Sequence, residues 1–315
     1  MTSGMNGSKT ALLFPGQASQ YVGMAKDLYD AFPQVKELYN TAARLLGTDL
    51  AKVSFEGPEE LLRQTQYTQP AVFVHSVAVW QLIEGNGIKP DYVAGHSLGE
   101  YSALVAAGAI SFEDALTAVG YRSRFMQQAC LERPGTMAAI IGMSAEEIFS
   151  LCTEAAPSGI VVPANYNSPD QIVISGENQA VEKAVELAKQ KGKKGILLKV
   201  GGAFHSPLMQ SAKVDLQPEL DKLKFNSASV PVVANVTGRA IAKPEHIKEL
   251  LVEQITKPVL WSQSLEFMYN HGIKNYVEIG PGKVLQGLVK KSLGGVKISG
   301  MDKLADIESY LPARK

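Results

Sequence analysis

Residues 95–99 read Gly-His-Ser-Leu-Gly; an apolar stretch, DYVAG, runs into them, and an alanine-rich segment with helical spacing, SLGEYSALVAAGA, follows. A serine at a strand-to-helix corner has its hydroxyl thrust out above the edge of a sheet. Glycines two positions either side, here Gly95 and Gly99, remove Cβ atoms that would collide with the neighbouring strand and helix. The helix turns its N-terminal N–H groups and positive dipole end toward that hydroxyl, which favours developing negative charge. The context predicts a nucleophile at Ser97. A plain N-cap in a tight connection is the alternative, and the strand before and helix after weigh against it.

A serine hydroxyl needs a base, and near neutral pH histidine is the usual one. The chain has five histidines. His75 lies in an apolar helix, AVFVHSVAVW, as a core histidine would. His96 is adjacent to Ser97, so its side chain points away. His246 sits in a charged, solvated segment, and His271 at a helix C-terminus, where the dipole explains it. His205 stands in GGAFHSP, a glycine-led loop where the chain returns from the middle region to the larger domain. Such a loop lines the cleft between domains, and elimination favours His205 as the base. No acid stands out as a third member. A lipase or esterase would carry an HGGG-type loop upstream of its elbow; here the first strand leads into FPGQASQ instead.

That loop emerges at the same sheet edge as the elbow, where open α/β sheets bind ligands. Its backbone N–H groups, with that of Leu98, would form an oxyanion hole, or the loop is an ordinary strand-to-helix turn. In the helix after the elbow, Phe112, Ala115, Leu116, Val119 and Met126 share one face, and Arg122 falls at its edge. Arg124 points the other way, beside Glu113. A half-buried arginine without a local acid predicts either a clamp for a substrate carboxylate, made of two parallel hydrogen bonds, or an internal salt bridge to an acid from elsewhere.

The elements that position these residues alternate strand and helix. TALLF, KPDYVAG, PVVANVTG, IKNYVEIG and VKISGM read as strands, with helices between, including one whose first turn holds Pro70. This pattern predicts an α/β fold with a mainly parallel sheet, α/β-hydrolase-like in its serine corner. The middle differs: TMAAIIGM, a helix opened by the capping box of Ser144 and Glu147, the hairpin IVVPANYN-SPD-QIVISG, a second helix and KGILLKV give β-α-β-β-α-β, a ferredoxin-like unit. The expected division is a large catalytic domain of residues 1–131 and 201–315 with a small domain, 132–200, inserted.

Composition narrows the function. The 315 residues include 31 Lys+Arg and 31 Asp+Glu, a balance that points to neither nucleic acid nor an anionic membrane surface. Two cysteines, Cys130 and Cys152, fit a reducing cytoplasm. No apolar run approaches the ~20 residues of a membrane span, and the start, MTSGMNGSKT, reads as a disordered leader rather than a signal peptide. HExxH and paired CxxC motifs are absent and the histidines scattered, so metal chemistry is not expected.

In order, the chain carries FPGQASQ, TQPA, GHSLGEYSALVAAG, YRSRFM, NYNSPDQIVISG, GAFHS and EIGPGKVL. With these it closely resembles the malonyl-CoA:acyl carrier protein transacylases of bacterial fatty acid synthesis, relatives of polyketide synthase acyltransferase domains, over about residues 9–293. The resemblance implies that Ser97 attacks the malonyl thioester, that His205 accepts its proton and passes it to the leaving thiol, and that the backbone N–H groups of Gln17 and Leu98 bind the oxyanion. Arg122 would clamp the malonyl carboxylate. The histidine would be oriented by the main-chain carbonyl of Gln254, and Gln69 and Asn165 would line the pocket. The family motif places glycine where this chain has Ala18; if the position needs φ > 0, alanine is strained by ~1 kcal/mol or more. Phe204 resembles the malonyl-selecting version of its motif. The implied cycle is ping-pong, with malonyl-CoA as substrate, CoA as product, no tightly bound cofactor, an acidic phosphopantetheine-bearing carrier protein as partner, and a monomer. Lys189, Lys191, Lys193 and Lys194, or Lys283, Lys290 and Lys291, would dock it unless they are simply solvated faces. The alternatives are a trans-acting polyketide acyltransferase, a proofreading acyl-thioester hydrolase, and a non-catalytic scaffold.

Overall fold

Unbroken runs such as Ala-Leu-Leu-Phe belong to strands covered on both faces. In the computed structural model, which describes residues 9–86 and 88–310, that run lies in a strand buried beyond its first residue. Residues 1–8 of the expected leader, and Gly87, expected with Gly85 to end a helix, lie outside the described residues, while the last two residues of that leader, Lys9 and Thr10, belong to a strand. The strands are β1 (Lys9–Phe14), β2 (Tyr92–Gly95), β3 (Thr136–Ile141), β4 (Val161–Ser168), β5 (Gln171–Gly176), β6 (Lys194–Leu197), β7 (Val232–Ala234), β8 (Arg239–Ile241), β9 (Ile273–Ile279) and β10 (Lys297–Met301).

They form two sheets. The larger has the order β10-β9-β1-β2-β7-β8 and is parallel except for β8, which folds back antiparallel on β7. The smaller, β4-β5-β3-β6, is antiparallel. With helices Ala145–Ala155 and Asn178–Gln190 between its strands, it has the β-α-β-β-α-β sequence expected of a ferredoxin-like unit. Ile148, Leu151, Val181 and Ala184 of the helices share a core with Ala138, Ile140 and Ile174 of the sheet. The capping box is formed: the Glu147 N–H donates to Ser144 Oγ at 3.3 Å, and the Ser144 N–H to Glu147 Oε2 at 2.6 Å.

The helix Thr65–Ile83 is buried on nearly every side, a core helix rather than an amphipathic one. Pro70 stands inside it rather than in its first turn, because Gln64 is the N-cap and five residues precede the proline. Several elements escape the pattern reading, the short helices Leu50–Glu56 and Glu59–Leu62 among them. The helix Pro33–Leu46 buries Val35, Leu38, Tyr39 and Ala42 at helical spacing, β8 has only three residues, and a final helix spans Leu304–Tyr310. No helix among the described residues is long and apolar enough to cross a membrane.

The small sheet is also stitched to the large unit through its edge strand. The Tyr166 N–H donates to the Val259 carbonyl at 2.9 Å, and the Val259 N–H to the Ala164 carbonyl at 2.8 Å.

At the end of β9, the buried Glu278 carboxylate accepts from the N–H groups of Leu285 (3.0 Å) and Gln286 (3.1 Å), capping the helix Val284–Ser292. Burial pushes its carboxyl up from 4.5 to about 7. Between those values the folded protein holds a proton that the unfolded chain releases, so this group makes stability fall as pH rises. Glu278→Gln removes the proton uptake. Urea midpoints measured from about pH 5 to about pH 7.5 are expected to decline less steeply in the variant; identical slopes would rule out the raised carboxyl.

Candidate active site

β1 and β2 run parallel, so the loops after them emerge together. Backbone meets backbone there without side chains between. A Cβ on Gly95 would stand 1.9 Å from the Gly99 carbonyl, one on Gly99 2.0 Å from the Phe14 oxygen, and one on Gly16 2.3 Å from the His96 oxygen. Ser97 itself takes φ 52°, the left-handed region that costs an L-residue about 1–2 kcal/mol. Asn235, just past β7, holds the corner from both sides: its Oδ1 accepts the Ser97 N–H at 2.6 Å, and its Nδ2 donates to the Gly95 carbonyl at 2.7 Å.

His205 comes to the same point from the return loop, also left-handed at φ 57° and 3% exposed. The Ser97 hydroxyl lies 2.8 Å from its Nε2, and its Nδ1 lies 2.8 Å from the Gln254 main-chain oxygen. A carbonyl only accepts, so Nδ1 carries the proton and Nε2 presents a lone pair to the serine. Burial, and then the Arg122 charge, push the imidazole down to about 3. It is therefore neutral, with Nε2 unprotonated. None of the other histidines bonds the serine hydroxyl, although His96 also lines the cleft. His96 bonds Asn167 at 2.9 Å beside Trp261, and His75 is buried against the Asp302 carbonyl at 2.8 Å. His271 bonds the Phe267 carbonyl at a helix end, and His246 is exposed.

Arg122 is 1% exposed, more deeply buried than a half-buried edge position. Its Nη1 donates to Gln69 Oε1 at 2.6 Å; its Nη2 donates to Ser97 Oγ and to Gln254 Oε1, each at 3.0 Å; its Nε has no partner among the described residues. No carboxylate among those residues lies within ion-pair distance, so the internal salt bridge is not formed. Arg124 is exposed, over the Tyr121 ring.

Two polar residues at this edge escape the sequence reading. Glu100 is buried in the elbow helix Gly99–Ala106; its Oε2 accepts from Gln254 Nε2 at 2.7 Å and from the Asn235 N–H at 3.1 Å. Burial raises its carboxyl to about 7. Asn235 is the other. The available signal is a lone acid in an apolar helix and a lone amide ending an apolar strand.

A cleft of about 200 Å³ joins the two sheets at this point. Ser97, His205 and Arg122 line it with Gln17, Leu98 and Asn165, the last on β4 with a buried, unpartnered Oδ1. Gln69 and Phe204 line it too. The N–H groups of Gln17 and Leu98 are unengaged among the described residues. Gln254 therefore presents more than the expected carbonyl: its side chain joins Arg122 to Glu100.

Known proteins share this arrangement of chain. The family model described as acyl transferase domain matches residues 11–306. The chain belongs to that acyltransferase family. It is 47% identical over 286 residues to the malonyl CoA-acyl carrier protein transacylase of Bacillus subtilis (strain 168), with 90% of each chain covered. It is 44% identical over 294 residues to the enzyme of the same name from Escherichia coli (strain K12), covering 93% of this chain and 95% of that one. Among solved structures, a malonyl-transacylase in complex with a type II polyketide acyl-carrier protein superimposes with TM-score 0.92 at 41% identity, covering 96% of this chain and 99% of that one. An acyl carrier protein S-malonyltransferase from Vibrio cholerae does so with TM-score 0.91, also at 41% identity, covering 96% of this chain and 99% of that one.

This acyltransferase carries an alanine at odds with its own backbone in the loop after β1. Ala18 takes φ 82°, and its N–H is fixed by Gln20 Oε1 at 2.8 Å. The strain expected for alanine at this loop position is present. Ala18→Gly should raise stability by about 1 kcal/mol, read as a higher urea midpoint at unchanged m-value. A midpoint that stays put would show that the loop relaxes around alanine.

Proposed function

We propose that the chain moves a malonyl group from malonyl-CoA to the phosphopantetheine thiol of an acyl carrier protein through an ester on Ser97. The observation that carries this reading is the buried Arg122 guanidinium, 3.0 Å from Ser97 Oγ with no carboxylate of its own. A buried cation with no carboxylate in direct contact among the described residues favours a ligand that brings one, and malonate does.

In the first half, Ser97 Oγ gives its proton to His205 Nε2 and adds to the thioester carbonyl. The carbonyl oxygen, gaining charge, meets the N–H groups of Gln17 and Leu98 and the positive end of the elbow helix. The C–S bond breaks, and the imidazolium protonates the departing sulfur. In the second half the carrier thiol gives its proton to His205 and attacks the Ser97 ester, and the serine regains that proton as it leaves. The Gln254 carbonyl keeps the ring in the required tautomer throughout. Gln69 holds the guanidinium in place, Asn165 offers its free oxygen to the acyl-thioester, and Phe204 limits the room around it. Charge is handled by Arg122 and backbone dipoles, so the cycle needs no metal and no tightly bound cofactor. A single chain holds every group named, which suits a monomer, and the two buried free cysteines, Cys130 and Cys152, suit the cytoplasm.

Of the two lysine clusters, Lys283, Lys290 and Lys291 suit carrier docking better. All three are exposed at the ends of the helix Val284–Ser292, whose Val284, Leu285 and Leu288 line the cleft. In the other cluster, Lys191 is paired with Glu154 and Lys193 bonds the Gly142 carbonyl, on the small sheet. A hydrolase of uncharged acyl chains has no use for Arg122, and a scaffold has none for a 2.8 Å serine–imidazole pair. Fatty acid and polyketide carrier proteins present the same thiol; of the two pathways, fatty acid synthesis is the one proposed.

Intact-protein mass spectrometry after mixing with malonyl-CoA is expected to show an adduct that Ser97→Ala abolishes and that discharges onto carrier protein; discharge to water at the same rate would identify a hydrolase. His205→Ala should slow acylation roughly 10²–10⁴-fold. Arg122→Ala should cut malonyl transfer by about 10²-fold or more while gaining relative activity with acetyl-CoA. Unchanged malonyl preference would remove the clamp.

A further inference from the structure

Glu100 is a buried carboxylate that the transfer cycle does not use, yet it lies two hydrogen bonds from the guanidinium that does. The chain of contacts runs from Arg122 Nη2 to Gln254 Oε1 (3.0 Å), through the amide, and from Gln254 Nε2 to Glu100 Oε2 (2.7 Å). Nε2 also reaches the Ser97 carbonyl at 3.1 Å. We infer that Glu100 is a positioning residue for malonyl recognition: it fixes the direction of the Gln254 amide, and through that amide the place of Arg122.

The argument is one of donors and acceptors. A guanidinium has only donors, so the amide must turn its oxygen toward Arg122. Nothing on the amide itself chooses between its two orientations, since oxygen and nitrogen have nearly the same size and shape. Glu100 and the Ser97 carbonyl make the choice together: the Glu100 Oε2 that faces the amide also accepts the Asn235 N–H and so draws the NH₂ end, and the Ser97 carbonyl, which only accepts, takes the same group. The amide dipole then lies with its negative end on the cation and its positive end on the Glu100 carboxyl oxygen, so each bond polarises and strengthens the other. Glu100 is held in turn by the Asn235 N–H, on the residue that clamps the serine corner. The spacing matters as much as the direction. A carboxylate placed directly on Arg122 would form an ion pair that a substrate carboxylate would have to displace. With a neutral amide between them, the guanidinium is oriented but its charge is left for the ligand. The same Gln254 holds His205 by its main-chain oxygen, so base and clamp are referred to one residue.

This inference rests on the reading of Arg122 as the malonyl clamp, and the test separates the two. The readout is the ratio of kcat/KM for malonyl-CoA over acetyl-CoA in transfer to carrier protein. Glu100→Asp keeps the charge but withdraws the acceptor by one methylene, and Glu100→Leu removes it; each should lower the ratio ~10-fold, mainly through KM for malonyl-CoA. Glu100→Gln, whose amide oxygen can take the place of Oε2, should stay within about three-fold of the parent ratio. An unchanged ratio in Glu100→Asp, or a loss in Glu100→Gln as large as in Glu100→Asp, overturns the positioning role. Should Glu100→Leu fail to fold, the Asp and Gln variants decide alone. Arg122→Ala in parallel marks the boundary. If it too keeps the malonyl preference, the clamp falls and this inference with it; if it loses the preference while Glu100→Asp does not, only the positioning role falls.

Discussion

A guanidinium taken out of water loses hydration worth several kcal/mol unless acceptors replace it. Arg122 finds them on three separate elements: Gln69 on the helix Thr65–Ile83, Ser97 at the elbow, and Gln254 where the helix Pro244–Glu253 ends. These positions are far apart in sequence, and only the assembled large unit brings them together. Burial of one cation thus ties the core helix, the serine corner and the histidine's support into a single arrangement. Each acceptor is neutral, which is the condition for the charge to remain available.

Strain gathers around the same point. Ser97, His205 and Ala18 all take positive φ, a conformation that L-residues adopt at a cost of about 1–2 kcal/mol each. Such residues persist where their surroundings over-determine them. Asn235 grips the serine corner on both sides, the Gln254 carbonyl grips the imidazole, and Gln20 grips the Ala18 N–H. The three glycines that allow this, at 16, 95 and 99, leave gaps into which no methyl group fits.

How much of this the sequence discloses follows from what each signal encodes. Strands such as β1 and β9 are legible because long apolar runs have few other fates; β8 is not, since three residues carry no period. The helix Pro33–Leu46 carries a regular spacing with no side-chain cap at its start to mark it, and Pro70 reads as a first-turn proline because proline is most at home there. The serine is legible through its glycines, and the histidine by exclusion of the other four. Arg122 shows its face but not its depth, because burial of a charge depends on partners that only the fold assembles. Glu100 and Asn235 lay in plain view as polar residues in apolar settings. Yet their function is mutual, and no local pattern reveals that one is bonded to the other's backbone.

The main-chain bonds between Val259 and the strand residues Ala164 and Tyr166 bear on the shape of the cleft. They tie the ferredoxin-like lobe to its neighbour through peptide groups. Any swing that parted the two at this seam would have to break that pair of bonds, a contact that side-chain substitution other than by proline leaves in place.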